Sequence, residues 1–128
     1  MFLDSMNLFS FVVEASDGAS AYKKFLNQKF DLIISDLVMP KLKGIELIEN
    51  IKKYEKKMVQ ISTPIIILSG NLTSSELQQA TGMGVKYALA KPCLIEDFER
   101  KVTEVLLNEY PDKVMYSTVN LYSARNIT

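Results

Sequence analysis

Asp31-Leu-Ile-Ile-Ser-Asp36-Leu-Val-Met39-Pro40 is an apolar run that stops at a carboxylate and then turns at Met-Pro. A strand covered on both faces, as in a parallel sheet, reads as unbroken hydrophobics rather than as an alternation. Two later runs have the same form. Pro64-Ile-Ile-Ile-Leu-Ser69 ends on a hydroxyl, and Tyr87-Ala-Leu-Ala-Lys91-Pro92 ends on an amine. If the three runs are parallel neighbours, a carboxylate, a hydroxyl and an ammonium share one edge of one sheet. Open α/β sheets bind their ligands at that edge.

The segments between the runs read as helices. Ser16-Asp17-Gly18 is a turn that opens a helix with Ala21, Phe25 and Leu26 on one face. Gly44 to about Lys57 has Leu47, Ile48, Ile51 and Tyr54 at helical spacing, and its far end, Lys52 to Lys57, reads as a solvated charged stretch. Thr73-Ser-Ser-Glu76 has the form of a capping box, predicting a short helix through Gln79 that ends near Gly82 and Gly84. Ile95, Phe98, Val102, Val105 and Leu106 mark a last helix to about Asn108, with Pro111 as its stop. Phe11-Val-Val-Glu14 reads as a short strand, and Val114 to Tyr122 is rich enough in β-formers to be another. Strands alternating with helices predict an α/β domain with a mainly parallel sheet. Residues 1–108 form the expected domain and 109–128 a tail.

Composition narrows the function classes. The chain has 128 residues, enough for one domain with a core. Fifteen basic and fifteen acidic residues cancel, which gives no electrostatic case for nucleic acid or an anionic membrane. No apolar run approaches the roughly 20 residues that span a bilayer, and the start lacks the basic region of a signal peptide. Cys93 stands alone, which points to a reducing, cytoplasmic setting; it reads as buried and inert. The absence of histidine excludes zinc-finger spacing and Ser-His-Asp chemistry.

The edge constellation has a definite chemistry. An aspartate can attack phosphorus and hold an acyl phosphate, while a hydroxyl and an ammonium bind the phosphoryl oxygens by charge-assisted bonds. Each residue alone has a plainer explanation: a turn aspartate, a cap serine, a surface lysine. Their coincidence at three ordered strand ends does not.

These residues resemble the receiver domain of bacterial two-component response regulators, a flavodoxin-like fold, over about Phe11 to Leu107. Asp36 with Met39, Pro40 and Gly44 is similar to the phosphoacceptor and its turn. Ser69 resembles the hydroxyl that follows the phosphoryl group, and Lys91-Pro92 the family's Lys-Pro pair. The resemblance implies phosphoryl transfer to Asp36 from a histidine kinase or phosphotransfer protein, with Mg2+ held by Asp36 and the Val38 backbone carbonyl. It implies a signalling domain rather than an enzyme, at most catalysing its own phosphorylation, and a population shift between two states on modification.

The pattern departs from the family at one end. Ten residues precede Phe11, whereas a strand, a turn and a helix need roughly 20 or more. The family's first, central strand and the acidic pair that holds magnesium are therefore expected to be missing, with Asp4 in the first helix. An unfilled slot would leave strand edges open. Residues Val114 to Leu121 are a candidate to fill it, by a right-handed crossover; exchange between subunits, giving a homodimer, is the rival. Without the acidic pair, weak Mg2+ binding and slow or absent phosphorylation are expected. Lys43 replaces the usual acid before Gly44, and Ala88 stands where the family often has an aromatic.

A pseudo-receiver, the same fold acting as an interaction module independent of phosphate, is the competing function. A phosphatase of the haloacid-dehalogenase type would need an acid at position 38, where Val38 stands. Flavin binding would need a phosphate loop that no strand provides.

Overall fold

The computed structural model describes residues 13–37, 44–71 and 73–111. In chain order the elements are α1 (Gly18–Asn27), β1 (Ile33–Asp36), α2 (Gly44–Lys57), β2 (Ile65–Ser69), α3 (Ser75–Gly82), β3 (Tyr87–Ala90) and α4 (Ile95–Glu109). The other two stretches read as strands lie largely outside the described residues. Val13 and Glu14 are not in a strand, and Phe11 and Val12 lie outside the described residues, as do Met1 to Ser10 and the whole of Val114 to Tyr122.

Among the described residues the sheet has three parallel strands in the order β1-β2-β3. The register explains why unbroken apolar runs were needed. Ile33 is paired with Ile65, Ser35 with Ile67, and Ile67 with Ala88. Side chains alternate between faces, so Ile33, Ile65, Ile67 and Ala88 share one face. That face meets a buried cluster completed by Leu37, Leu47, Ile48, Ile51, Ala80 and Val85. Ile66, which points the other way, is 1% exposed, so β2 is covered on both sides.

The helices on the clustered face are set by their apolar spacing. In α2, Leu47, Ile48 and Ile51 are fully packed, and the helix spans Gly44–Lys57 as its spacing predicts. Asp17 caps α1, its Oδ1 accepting from the Ser20 N–H at 2.7 Å. The α1 stripe is Ala21, Tyr22 and Phe25 rather than one including Leu26, which is 42% exposed. At 3.6 residues per turn Leu26 lies about 90° from the centre of that stripe. Phe25 stands edge-on to Tyr54 at 5.7 Å between ring centroids, joining α1 to α2.

Two local expectations are corrected. The cap of α3 is Ser74, whose Oγ accepts from the Leu77 N–H at 3.2 Å. Thr73 instead donates its hydroxyl to Asn71 Oδ1 at 2.7 Å. The charged end of α2 is not uniformly solvated, because Glu55 is 3% exposed and its Oε2 accepts from the Thr63 N–H at 2.7 Å.

The strand and helix residues of Val13–Cys93 form one compact unit, and α4 belongs to a second that begins at Leu94. Within α4, Phe98, Val102, Val105 and Leu106 are buried, while Ile95 at its start is 46% exposed. The helix closes at Tyr110, whose N–H donates to Leu106 O at 2.8 Å, just before Pro111.

Candidate functional site

Parallel strands present their carboxyl ends together, and here those ends are Asp36, Ser69 and the Ala90-Lys91 junction. Asp36 pairs with Leu68, Leu68 with Leu89, and Ser69 with Ala90. The Lys91 N–H donates to Ser69 O at 2.8 Å, which carries the ladder one residue past β3. Sequence-distant residues thus reach one edge through register alone.

Asp36 and Lys91 meet directly. Lys91 Nζ lies 2.5 Å from Asp36 Oδ1, between residues 55 apart in the chain. The pair bridges over the intervening strand. Adjacent strands lie about 4.8 Å apart, so β1 and β3 are separated by roughly twice that, and a lysine stem is long enough to close the gap. Both side chains stay open to solvent, at 45% exposure for Lys91 and 37% for Asp36.

Ser69 is at the same edge, but its hydroxyl is engaged locally. Its Oγ donates to Asn71 O at 2.9 Å and accepts from the Asn71 N–H at 3.1 Å. This is a serine turn, in which a hydroxyl stands in for a backbone partner. The three-residue constellation is therefore joined at two members, with the third held beside its own loop and 6% exposed.

Two further residues fix the backbone at Asp36. Gly44 starts α2 against the end of β1, its N–H donating to Leu37 O at 3.1 Å. A Cβ at that position would stand 2.2 Å from Asp36 O and 2.6 Å from Leu37 Cα. Only glycine permits that approach, so Gly44 has a steric role in addition to its place in the turn. Ser35, buried at 4%, donates its hydroxyl to Asp36 O at 2.9 Å. It was not among the residues singled out from the sequence, although a lone hydroxyl inside Leu-Ile-Ile-Ser-Asp is a visible signal. Asn71, which orients Ser69, left no such mark. Pro92 follows a cis Lys91-Pro92 peptide bond, and Cys93 beside it is half-buried rather than buried. Met39, Pro40, Val38 and Lys43 lie outside the described residues.

A divalent cation at this edge would need more oxygen donors than one carboxylate. Magnesium takes carboxylates plus water in octahedral geometry. Among the described residues no group of three or more Asp, Glu, His or Cys could hold a metal. Asp36 is the acid at this edge, and one of its oxygens is occupied by Lys91. The described residues do not by themselves make a magnesium site.

Comparison with known proteins identifies the family and the fold. The model of the response regulator receiver domain family matches residues 2–103. Transcription factor SKN7 of Candida albicans is 30% identical over 102 residues, covering 80% of this chain and 17% of that protein. The chain spans less than half the length of that relative and of the CrdR transcriptional regulatory protein of Helicobacter pylori, of which it covers 45%. Among solved structures, the chemotaxis response regulator CheY4 of Vibrio cholerae superposes with a TM-score of 0.68 at 30% identity, over 83% of this chain and 87% of that one. The receiver domain of the Pseudomonas aeruginosa sensor histidine kinase PA1611, solved with magnesium in its active-site cleft, gives 0.66 at 26% identity, over 84% and 81%. The chain belongs to the response regulator receiver domain family and has its flavodoxin-like parallel fold.

Proposed function

We propose that this receiver domain accepts a phosphoryl group on Asp36 from a phosphohistidine donor, with Lys91 and Ser69 as the groups that bind the transferred phosphoryl. The observation that carries the reading is the contact between Lys91 Nζ and Asp36 Oδ1 at the open sheet edge. The donor is a histidine kinase or a phosphotransfer protein in the cytoplasm, and the domain acts as a signalling element rather than as an enzyme with its own substrate.

The geometry supports a specific sequence of events. Lys91 holds Oδ1, which leaves the second carboxylate oxygen to attack phosphorus. The new O–P bond forms as the P–N bond of the donor breaks, and the leaving imidazole nitrogen keeps the electron pair and takes a proton. Lys91 can then turn its ammonium onto a phosphoryl oxygen, a charge-assisted contact. Ser69 must leave Asn71 to reach the phosphoryl group. Its local hydrogen bonds are worth about 1 kcal/mol each, whereas a bond to a charged group is worth about 1.5–3 kcal/mol. The exchange is favourable only when the phosphoryl group is present, which makes Ser69 and its loop a two-state element biased by phosphorylation. With a single carboxylate among the described residues of the site, phosphorylation is expected to be slow and its dependence on Mg2+ shallow.

The test is intact mass after incubation with acetyl phosphate, beside NMR titration with beryllofluoride, for the chain and for Asp36→Asn. A phosphoryl adduct or saturable shifts in the Asp36, Ser69 and Lys91 amides, both lost in the variant, are the expected result. No adduct and no shifts would overturn the phosphoacceptor reading in favour of an interaction module that works without phosphate.

A further inference from the structure

Val59 and Ile61, in the loop between α2 and β2, are the most exposed large apolar side chains among the described residues, at 91% and 85%. Met58, beside them, is 51% exposed. Val59 also has φ 53°, the left-handed region that disfavours a β-branched residue and normally takes glycine or asparagine.

The loop is firmly held. The Gln60 N–H donates to Glu55 O at 2.8 Å and the Val59 N–H to Lys56 O at 3.2 Å, the two bonds of a Schellman helix end. Buried Glu55 fixes the Thr63 N–H from below, and Lys52 Nζ donates to Ser62 Oγ at 2.5 Å. A strained, well-fixed turn therefore raises Val59 and Ile61, which gain almost no packing from the domain, beside the half-exposed Met58. Backbone outliers of this kind collect at sites of interaction.

The surroundings are basic. Lys56 and Lys57 are exposed and make no ion pair with another described residue, and the run Lys-Lys-Met-Val-Gln-Ile-Ser at 56–62 contains no acid. Lys53 is matched by Glu49 at 2.7 Å, and Lys52 approaches Glu55 at 3.8 Å. The chain's zero net charge conceals this local excess.

We propose that the α2–β2 loop is a docking tip for an anionic lipid surface. Val59, Ile61 and Met58 enter the headgroup boundary, and Lys56 and Lys57 meet the lipid phosphates. Three exposed side chains on one loop are too few for a protein interface, which needs about 800 Å² from each partner. A symmetric contact between two copies would set these lysines against their equivalents. A bilayer needs no complementary pocket. The placement also keeps the other site free. Helix α2 runs back from the carboxyl end of β1 to the amino end of β2, so the tip lies at the sheet end opposite Asp36 and Lys91.

The experiment is flotation of the full chain with vesicles of phosphatidylcholine, with and without phosphatidylglycerol. Binding to the anionic vesicles is expected, weakened at least about tenfold by omitting phosphatidylglycerol or by raising salt to about 0.5 M. Val59→Ser with Ile61→Ser, both exposed positions, is expected to abolish flotation while leaving the circular dichroism unchanged. Failure of the chain to float with anionic vesicles, or equal flotation of the double variant, would overturn the proposal. Self-association in the absence of lipid that the double variant removes would overturn it too, identifying a protein contact instead. None of these readouts depends on whether Asp36 is phosphorylated.

Discussion

Gly44→Ala is expected to destabilise the domain and displace Asp36, although helix propensity argues the opposite. Gly44 opens α2, and alanine for glycine inside a helix gains about 1 kcal/mol. Against that gain, the added Cβ would lie 2.2 Å from Asp36 O, 2.6 Å from Leu37 Cα and 3.0 Å from Leu37 C. All three are backbone atoms, so no rotamer change relieves the contact. Restoring an ordinary carbon–oxygen separation needs a shift of about 1 Å by one side or the other. Helix α2 has little freedom to retreat, because Leu47, Ile48 and Ile51 are 2%, 0% and 1% exposed in a packed core.

Overpacking of this kind costs about 1–3 kcal/mol. Stretching the Gly44 N–H to Leu37 O bond, now 3.1 Å, forfeits about 1 kcal/mol more. The steric side wins by about 2 kcal/mol. With a urea slope of about 2 kcal/mol per M, the unfolding midpoint falls by about 1 M. Urea titration by circular dichroism measures this, and NMR shifts of the Asp36 and Lys91 amides report the movement of the site. A midpoint at or above that of the parent chain would refute the close approach.

Val59→Gly is expected to act in the other direction. It relieves a left-handed penalty of about 1–2 kcal/mol against a backbone-entropy cost of about 0.5–1 kcal/mol, so the urea midpoint rises by a few tenths of a molar unit; a fall would mean that the Val59 side chain packs on the domain. Glu55→Ala leaves the buried Thr63 N–H without its acceptor and is expected to lower stability by about 1–3 kcal/mol, read as a lower thermal midpoint. Ser74→Ala should cost about 1 kcal/mol through the lost α3 cap, and Thr73→Ala less; a larger loss for Thr73→Ala in urea titration would put the cap where the sequence pattern placed it.

Strand β2 was legible because a parallel strand buried on both faces is nearly all apolar until its end, and the partly covered β1 and β3 carry runs of the same form. The polar residue that breaks each run therefore marks the edge where ligands bind. The bounds of α2 were legible for a related reason: Leu47, Ile48 and Ile51 fix its period and Gly44 its start. What escaped is tertiary. Thr73 and Ser74 are equally able caps, and Asn71 decides between them by accepting from both the N–H and the hydroxyl of Thr73. Glu55 looks solvated within Lys-Lys-Tyr-Glu-Lys-Lys until the chain folds back and brings Thr63 over it. Ser69 could be placed at its edge, but its rotamer depends on a loop whose course the strand pattern does not determine.

The Asp36–Lys91 pair invites a purely structural explanation, which magnitudes argue against. An ion pair as open to solvent as this one contributes about 0–1 kcal/mol. The sheet register is already set by backbone ladders and by Ile65, Ile66 and Ile67, which are all but inaccessible. Replacing both charged residues by neutral polar ones would leave those terms untouched. Two opposite charges held at 2.5 Å at a strand end are therefore not maintained by what they add to stability. The proposed phosphoacceptor role, with an ammonium that follows the phosphoryl group, accounts for the same geometry. That asymmetry favours the phosphoacceptor reading over a chance surface contact, and it predicts that Lys91→Ala shifts the unfolding midpoint hardly at all while removing most of the beryllofluoride response.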